Sequence, residues 1–513
     1  MPTFELQTAR RRARGRRRIC GPSLWPGLAA ACLLAGCAVG PDYVRPAAPD
    51  GAASQAAFKE DGAWRTAMPS APDPDQPWWR AYGDSRLDTL IEQANAANQT
   101  LAQAQAQYRA AQALVQGAQA AYYPVVGASA SAQRARTVSG GRSTLADGHA
   151  WSINASWEPD FWGSVSRGVE SAADTAQASA ADLAAARLAV QASVVNDYLQ
   201  LRILDRQQAL YARTIEAYGK SLQLAQAQFR AGVATQADVS LAESTLAATQ
   251  AQAIDVDLTR RQLEHALAVL LGRTPSDFTL AANDPAELPA LPGVPSGLPS
   301  QLLERRPDIA GAERRVAAAN AQIGVAQAAF YPNLTLNASG GNTGVGLGLA
   351  SWTAAPGKVW ALGLALAGSL FDGGARSAGL ARARANFDVA AATYRQTVLN
   401  GFQEVEDNLA AVHALRQEYD ADRRAFLAAR RAESVTLSQY RAGTATYTSV
   451  ITAQALALTN ERNSLQAQGR AFAASVALVK ALGGGWTTGQ LPEDSAASRQ
   501  EIAADSKDIH HEN

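Results

Sequence analysis

The chain repeats itself. LAQAQAQYRAAQALVQGAQAAYYP (Leu101 to Pro124) aligns without gaps on IAGAERRVAAANAQIGVAQAAFYP (Ile309 to Pro332), with 11 of 24 positions identical. Further on, QFRAGVATQADV (Gln228 to Val239) aligns on QYRAGTATYTSV (Gln439 to Val450). The offset is 208 residues in the first block and 211 in the second, so the order and spacing of everything between them is duplicated as well. Alanine-rich composition alone could give chance matches in the first block, but not the Gln-aromatic-Arg-Ala-Gly word in register. The fold must therefore be built from two copies of one supersecondary unit.

Each copy reads as helix, strand hairpin, long helix, turn, helix. Leu101 to Ala121 interleaves Ala with Gln, strong helix formers that leave a narrow apolar face suited to close packing. Tyr122-Tyr123-Pro124 ends that helix and Phe330-Tyr331-Pro332 ends its counterpart, because the residue before a proline is pushed out of the α region. Pro124 and Pro332 are thus expected to be helix-to-strand breaks. From about Ser164 to Ala231, and again from about Gly373 to Ala442, no proline occurs. At 1.5 Å per residue each stretch predicts a helix roughly 100 Å long. The return segments, Asp238 to Leu271 and Val450 to Leu482, carry apolar sets such as Leu263, Leu267 and Leu270 at coiled-coil spacing.

Beyond each proline the period falls to 2. Trp151, Ile153, Ala155 and Trp157 alternate with Ser152, Asn154 and Ser156, and Trp360, Leu362, Leu364 and Leu366 alternate with smaller residues. Val125 to Thr137 and Leu334 to Gly341 supply weaker partner strands. Long helices with narrow faces offer nothing to cover such a greasy sheet, and tryptophans at strand ends suit a membrane interface. Four strands cannot close a barrel, and an open edge in lipid would leave unpaired amides costing several kcal/mol each, so the chain is expected to oligomerise.

The 46 Lys and Arg balance the 46 Asp and Glu only because residues 1–36 hold seven Arg and one Glu; the rest of the chain has 39 basic and 45 acidic residues, a formal net of −6. A nucleic-acid partner is not expected. The leader has a basic stretch from Arg10 to Arg18, an apolar run from Leu24 to Leu34, and then Leu34-Ala35-Gly36-Cys37, a bacterial lipobox. Cys37 is the expected lipidation site and first mature residue, since Cys20 and Cys32 fall in the discarded part. With no cysteine pair left, disulfides and zinc clusters are excluded. The residue after Cys37 is Ala38 and not Asp, which in bacterial lipoproteins resembles the outer-membrane sorting class. No later stretch is long and apolar enough for a spanning helix.

With these residues in view, the chain resembles the TolC-like outer membrane factor family, specifically the lipidated NodT-type efflux proteins. The words that carry the resemblance are CAVGPDYVRP at Cys37, PWWRAYGDSRLDTLI at Pro77, RRPDIAGAERRVAAANAQIGVAQAAFYP at Arg305, QYRAGTATY at Gln439 and KALGGGW at Lys480. The resemblance implies a homotrimer whose three sets of four strands form one 12-stranded outer-membrane barrel continuing into an α-helical periplasmic tunnel. It also implies a periplasmic adaptor docking on the tunnel tip, and an inner-membrane pump of the RND class. The implied role is the exit duct of a tripartite efflux system, lipid-anchored through Cys37 and projecting into the periplasm.

The family's docking tips correspond to Gly232 and Val233 in the first turn and Gly443 and Thr444 in the second. Glycine there also allows the positive φ of a tight reversal. Aligned on those glycines, Tyr440 and Asp238 fall on the family's gate latch, a phenol meeting a carboxylate. The sequence departs from the family at the constriction, where Thr448, Ser449 and Thr452 stand in place of an acidic ring. Ala445 replaces an Arg seen near the second turn in some relatives.

The sequence holds no catalytic constellation, cofactor motif or metal-ligand spacing, so no enzyme is expected. Gly344-Val345-Gly346-Leu347-Gly348 reads as an outer hairpin loop. Glu404, Glu406 and Asp407 read as a solvated or lumen-facing acidic patch. The expected organisation is a signal peptide at 1–36, a lipidated N-terminal segment at 37–84, a first repeat at 85–272, a Pro-rich linker at 273–306, a second repeat at 307–486 and a polar tail at 487–513. A type I secretion duct is the variant reading. A periplasmic adaptor lipoprotein is disfavoured by the duplicated strand-bearing halves.

Overall fold

The computed structural model describes residues 39–49, 58–59, 77–282, 289, 291–293, 305–346, 352–353 and 357–491. The signal peptide and Cys37, most of the Pro-rich linker and the tail from 492 lie outside the described residues.

A short 3₁₀ turn, Trp78–Tyr82, leads into α1 (Ser85–Ala97) and α2 (Gln99–Ala120), then β1 (Val125–Ser139), β2 (Arg142–Trp157), α3 (Ser164–Arg230) and α4 (Gln236–Leu270). The second half follows with α5 (Pro307–Ala328), β3 (Asn333–Val345), β4 (Lys358–Ala367), α6 (Ala375–Arg441) and α7 (Tyr447–Ala481). The duplication is carried into lengths: α3 and α6 each have 67 residues, and α4 and α7 each have 35. Each long helix is therefore about 100 Å.

Local chemistry sets the ends. Pro124 and Pro332 stand between a helix end at Ala120 or Ala328 and a strand start at Val125 or Asn333. The long helices start behind glycines with positive φ, Gly163 (79°) and Gly374 (94°). A carboxylate then takes the free amides of the first turn. Asp160 accepts from Val165 N and Ser166 N at 3.0 and 2.7 Å, and Asp372 accepts from Gly374 N and Arg376 N at 2.9 and 3.2 Å.

The four strands make one antiparallel sheet in the order β1-β2-β3-β4, with β2 pairing β3 across the two halves. Directly opposed residues share a face, so the register sorts the side chains. Ala128, Ile153, Gly340 and Trp360 lie in one row, Val126, Ala155, Ala338 and Leu362 in the next, and Trp157, Leu336 and Leu364 in a third. The opposite face presents Ser129, Ser152, Asn154, Ser156, Asn337 and Ser339 among small residues. Gly341 is needed at its position, because a Cβ there would lie 2.0 Å from the Trp151 carbonyl.

The main core sits beside the middle of α3. Val194, Val195, Tyr198, Leu199, Leu201 and Ile203 pack with Leu87, Leu90 and Ile91 of α1 and with Leu267 and Leu271 at the end of α4. Leu263 and Leu270 pack against the same cluster from its edge. α5 lies between α3 and α6, whereas α2 packs chiefly on α3 and keeps Leu114 67% exposed.

The linker is anchored at its described ends. Phe278 is buried in the main core, and Leu280 N donates to Glu264 at 2.5 Å while its carbonyl accepts from Arg260 at 2.9 Å. At the other end, Arg306 is buried. Glu404, Glu406 and Asp407, read from the sequence as one solvated or lumen-facing acidic patch, instead have separate partners. Glu404 binds Arg306 at 2.8 Å, Glu406 accepts from Lys59 N at 2.8 Å, and only Asp407 stays with its own helix, accepting from Gln403 at 3.3 Å. A proline-rich stretch and three acids on a helix give no local hint of partners 98 and 347 residues away.

Candidate functional site

The reversal between α3 and α4 and that between α6 and α7 are the same object built twice. Gly232 N donates to Phe229 O at 2.9 Å and Val233 N to Gln228 O at 2.9 Å; Gly443 N donates to Tyr440 O at 3.0 Å and Thr444 N to Gln439 O at 2.9 Å. This paired closure is the Schellman motif, and it requires left-handed backbone at the glycines, which have φ of 76° and 75°. Nothing lies within 4 Å of where a Cβ would stand on either glycine, so both tips are free of steric contact. Val233 is 74% exposed and Thr444 is exposed. The helices behind them restart on side-chain caps. Thr235 and Asp238 form a reciprocal capping box, with Asp238 N donating to Thr235 Oγ1 at 3.2 Å and Thr235 N to Asp238 at 2.9 Å. Thr446 Oγ1 accepts from Ser449 N at 3.4 Å.

Behind the tips lies a small aromatic core. Tyr440 and Tyr447 pack with ring centroids 5.3 Å apart, in a cluster with Ala225, Ala242 and Val450. Ala445 packs at its margin. Tyr440 and Asp238 are not hydrogen-bonded within the single chain. Tyr440 Oη is buried with no hydrogen-bond partner among the described residues, and so is Tyr218 Oη. The Asp238 carboxylate is occupied instead by Thr235, through N and through Oγ1 at 2.8 Å. Its charge still reaches the phenols. Burial first, then Asp238, holds the Tyr440 phenol above its usual value, and burial with Tyr440 and Asp238 pushes Tyr447 up to about 12. Burial and the nearby Glu433 carboxylate raise Tyr218 as well. Sequence alignment found Tyr440; Tyr218 and Tyr447 were missed, since nothing local separates them from ordinary packed tyrosines.

Thr448, Ser449 and Thr452 lie exposed on the first turns of α7, and the first turn of that helix holds no acid. Thr452 Oγ1 donates to Thr448 O at 2.9 Å and Ser449 Oγ lies 2.9 Å from Thr446 Oγ1, so this face offers neutral hydroxyls.

At the other end of the helices, the segment that begins two residues after Cys37 is strapped to both halves. Val39 N donates to Trp162 O at 3.1 Å, Arg167 pairs with Asp42 at 3.0 Å, Asn320 donates to Pro41 O at 2.9 Å, and Tyr43 donates to Glu313 at 2.6 Å. Gly40 (φ 122°) crosses against Gly324, where a Cβ would lie 2.6 Å from the Gly324 Cα. The strap ends at the foot of the sheet, beside the stacked rings of Trp162 and Tyr331.

Among the described residues no group of three His, Cys, Asp or Glu side chains is placed to hold a metal ion, and no helix is long and apolar enough to cross a membrane. The arrangement offers a sheet with one apolar face and one polar face, two free edges, and two exposed turns at the end of long helical hairpins.

A family model described as outer membrane efflux protein matches the chain twice, over residues 90–273 and 298–484. The chain is 33% identical over 418 residues to the pyoverdine export outer membrane protein OpmQ of Pseudomonas aeruginosa, covering 80% of this chain and 87% of that protein. It is 30% identical to the outer membrane protein OprJ of the same organism, over 90% of this chain and 95% of OprJ. Among solved structures, the outer-membrane channel OprN superposes with a TM-score of 0.78 at 30% identity, over 88% of this chain and all of that one. The open state of the Neisseria gonorrhoeae MtrE outer membrane channel superposes with a TM-score of 0.76 at 27% identity, over 88% and 98%.

Proposed function

This chain belongs to the outer membrane efflux protein family, and from that premise we propose that three copies assemble into the passive exit duct of a tripartite efflux system. The observation that carries the reading is the sheet. Its apolar face is left bare, with Trp360, Leu362, Leu364 and Leu366 between 66% and 82% exposed, and β1 and β4 each keep a free edge. In lipid such edges must be paired, and pairing β4 of one copy with β1 of the next closes 12 strands into a barrel. The face with serines and asparagines then lines the lumen, and the long helical hairpins continue the wall into the periplasm.

In this assembly Gly232, Val233, Gly443 and Thr444 form the ring of tips on which a periplasmic adaptor docks, which in turn engages an inner-membrane pump of the RND class. Thr448, Ser449 and Thr452 line the constriction just inside that ring, and Asp238 with Tyr440 bears on whether it opens. Cys37 carries the lipid, and the strap from Val39 to Tyr43 supports this by holding the chain close behind it at the foot of the sheet. OpmQ is named for pyoverdine export, and two further relatives from Pseudomonas putida are named for solvent and toluene efflux. Small organic molecules are accordingly the proposed cargo.

Photocrosslinking in cells from Val233 and Thr444, with mass-spectrometric identification of the captured protein, tests the docking claim. Recovery of a periplasmic adaptor is expected. Capture from other surfaces only, with the trimer intact, would leave an outer-membrane channel whose tips do not dock.

A further inference from the structure

We propose that the cleft where the Trp78–Tyr82 turn meets the chain after α7 binds a carboxylate-bearing amino-sugar glycan of the periplasm. This rests on the duct reading, which decides that the cleft opens outside the wall.

Two words of the sequence that the duct leaves without a role come together here. PWW at Pro77 and GGGW at Gly483 stand near opposite ends of the chain, yet Pro77, Trp78, Trp79 and Trp486 line one cleft of about 430 Å³ on the flank of α3. The glycines make the meeting possible. Gly483, Gly484 and Gly485 have φ of 89°, 59° and 88°, so three left-handed residues in succession turn the chain back after α7. A Cβ on Gly483 would stand 2.0 Å from the Arg305 carbonyl oxygen, and one on Gly484 would stand 2.3 Å from Leu188 Cδ1. That close seating brings Trp486 to the cleft, to which α2 adds Tyr108.

The side chains of the cleft are of two kinds. Trp78 and Trp79 are fixed, with their rings edge to face at 5.9 Å, Trp78 Nε1 donating to Gln191 Oε1 at 3.4 Å and Trp79 Nε1 to Asp88 at 2.8 Å. Indoles already held in place lose little freedom when a ligand binds. Trp486 Nε1, Tyr108 Oη, the Gln490 amide and the Arg187 guanidinium, by contrast, have no side-chain partner among the described residues. Trp486 and Tyr108 are half-buried, and Gln490 and Arg187 are exposed. Rings surrounded by free donors suit a pyranose. Its polarised C–H face rests on the negative face of an aromatic ring, while its hydroxyl and acetamido oxygens take the donors. A wholly apolar ligand would strip water from those donors and return no hydrogen bond. Arg187 is the one charged residue lining the cleft among the described residues, and an unpaired guanidinium favours a carboxylate, which selects an acidic sugar over a neutral one.

Height and side agree with such a polymer. Between Ser164, where α3 starts, and Arg187 the helix runs about 35 Å away from the foot of the sheet. In the barrel reading that is clear of the outer membrane. The 3₁₀ turn and α1 form a second layer on α3, and three copies of that layer inside the wall would block the lumen, so it lies outside. The trimer then presents three such clefts at one height, in a girdle around the duct, to a polymer lying parallel to the membrane.

The test uses the full-length protein as a detergent-solubilised trimer, with the mass of each variant verified first by native mass spectrometry. Binding is measured by isothermal calorimetry with two tetrasaccharides, one of N-acetylglucosamine alone and one in which alternate sugars carry a lactyl carboxylate. The acidic sugar is expected to bind more tightly, and to weaken about fivefold in Arg187→Gln and about tenfold in Trp486→Ala. The neutral sugar should weaken in Trp486→Ala only, and Lys220→Gln, an exposed cation far along α3, should change neither. Arg187 is exposed, so its variant gives a reading even where Trp486→Ala does not assemble. No binding by the wild-type trimer, equal affinity for the two sugars, or an acidic sugar indifferent to Arg187→Gln overturns the proposal. Binding that emerges only after residues 492–513 are removed gives the cleft to the chain's own tail and overturns it likewise. A folded monomer from the wild-type chain would instead remove the duct reading on which it rests.

Discussion

Arg306→Met is expected to destabilise the fold by about 2–3 kcal/mol. The Arg306 guanidinium donates to Asp308 at 3.0 and 2.6 Å, to Glu404 at 2.8 Å and to the Ala481 carbonyl at 3.2 Å. It thereby ties the start of α5 to the middle of α6 and the end of α7. Breaking a fully buried pair by removing one partner costs about 3–5 kcal/mol, because the remaining charge stays dry. Here the Arg306 side chain is 8% exposed but Asp308 and Glu404 are 40% and 50% exposed, so water recovers part of that loss. Methionine fills the channel beside Gly401 and Ile309, which keeps cavity formation a minor contribution. Glu404→Gln, which keeps an acceptor, should cost about 1 kcal/mol, and the double variant should show a coupling of about 1–2 kcal/mol. The assay is denaturant unfolding in detergent at fixed protein concentration, followed by far-ultraviolet circular dichroism. A cost below about 0.5 kcal/mol for Arg306→Met, or zero coupling to Glu404, would refute the argument that this ion cluster ties α5 to α6 and α7.

Three further outcomes are expected. In the structure Gly311 of α5 packs on Ala178, Ala181 and Asp182 of α3, and carrying that contact through the repeat offsets places Gln103 of one copy beside Val389 of the next. Gln103→Cys/Val389→Cys should therefore give covalent trimers on oxidation, and an intact but uncrosslinked trimer would disprove that register. Tyr440→Phe removes a buried hydroxyl that bonds nothing among the described residues, so stability should be unchanged or higher by up to about 1 kcal/mol. A loss beyond about 1 kcal/mol in the trimer would mean that the phenol finds an acceptor only on assembly. Asp372 is held down to about 2, from an ordinary value of 3.8, by Arg376 first and then by the Gly374 and Arg376 amides. A carboxylate with a lowered folded pKa stabilises above its unfolded value, and the contribution is lost as pH falls through the folded one. Amide exchange at the start of α6, corrected for intrinsic rate, should accelerate as pH falls from about 4 towards 2. Protection that is flat over that range, or a fall that persists in Asp372→Asn, would argue against this cap.

Features that depend on neighbours along the chain were legible in the residues themselves. Proline placement marked the ends of α2 and α5, the lack of proline gave two helices of 67 residues, and the period-2 runs gave β2 and β4 with their apolar face. The duplication gave the symmetry, and the Gly232 and Gly443 turns could be read because a Schellman ending demands one residue type at one position. Pairings between distant segments emerged only in three dimensions. Arg306 and Glu404 form one cluster, Asp238 caps its own helix while Tyr440 keeps an unbonded hydroxyl, and Gly40 exists to cross Gly324. Charges, hydroxyls and glycines look alike on any solvated helix. What each one does is set by the atom that happens to face it across the fold, and backbone propensity carries no record of that atom.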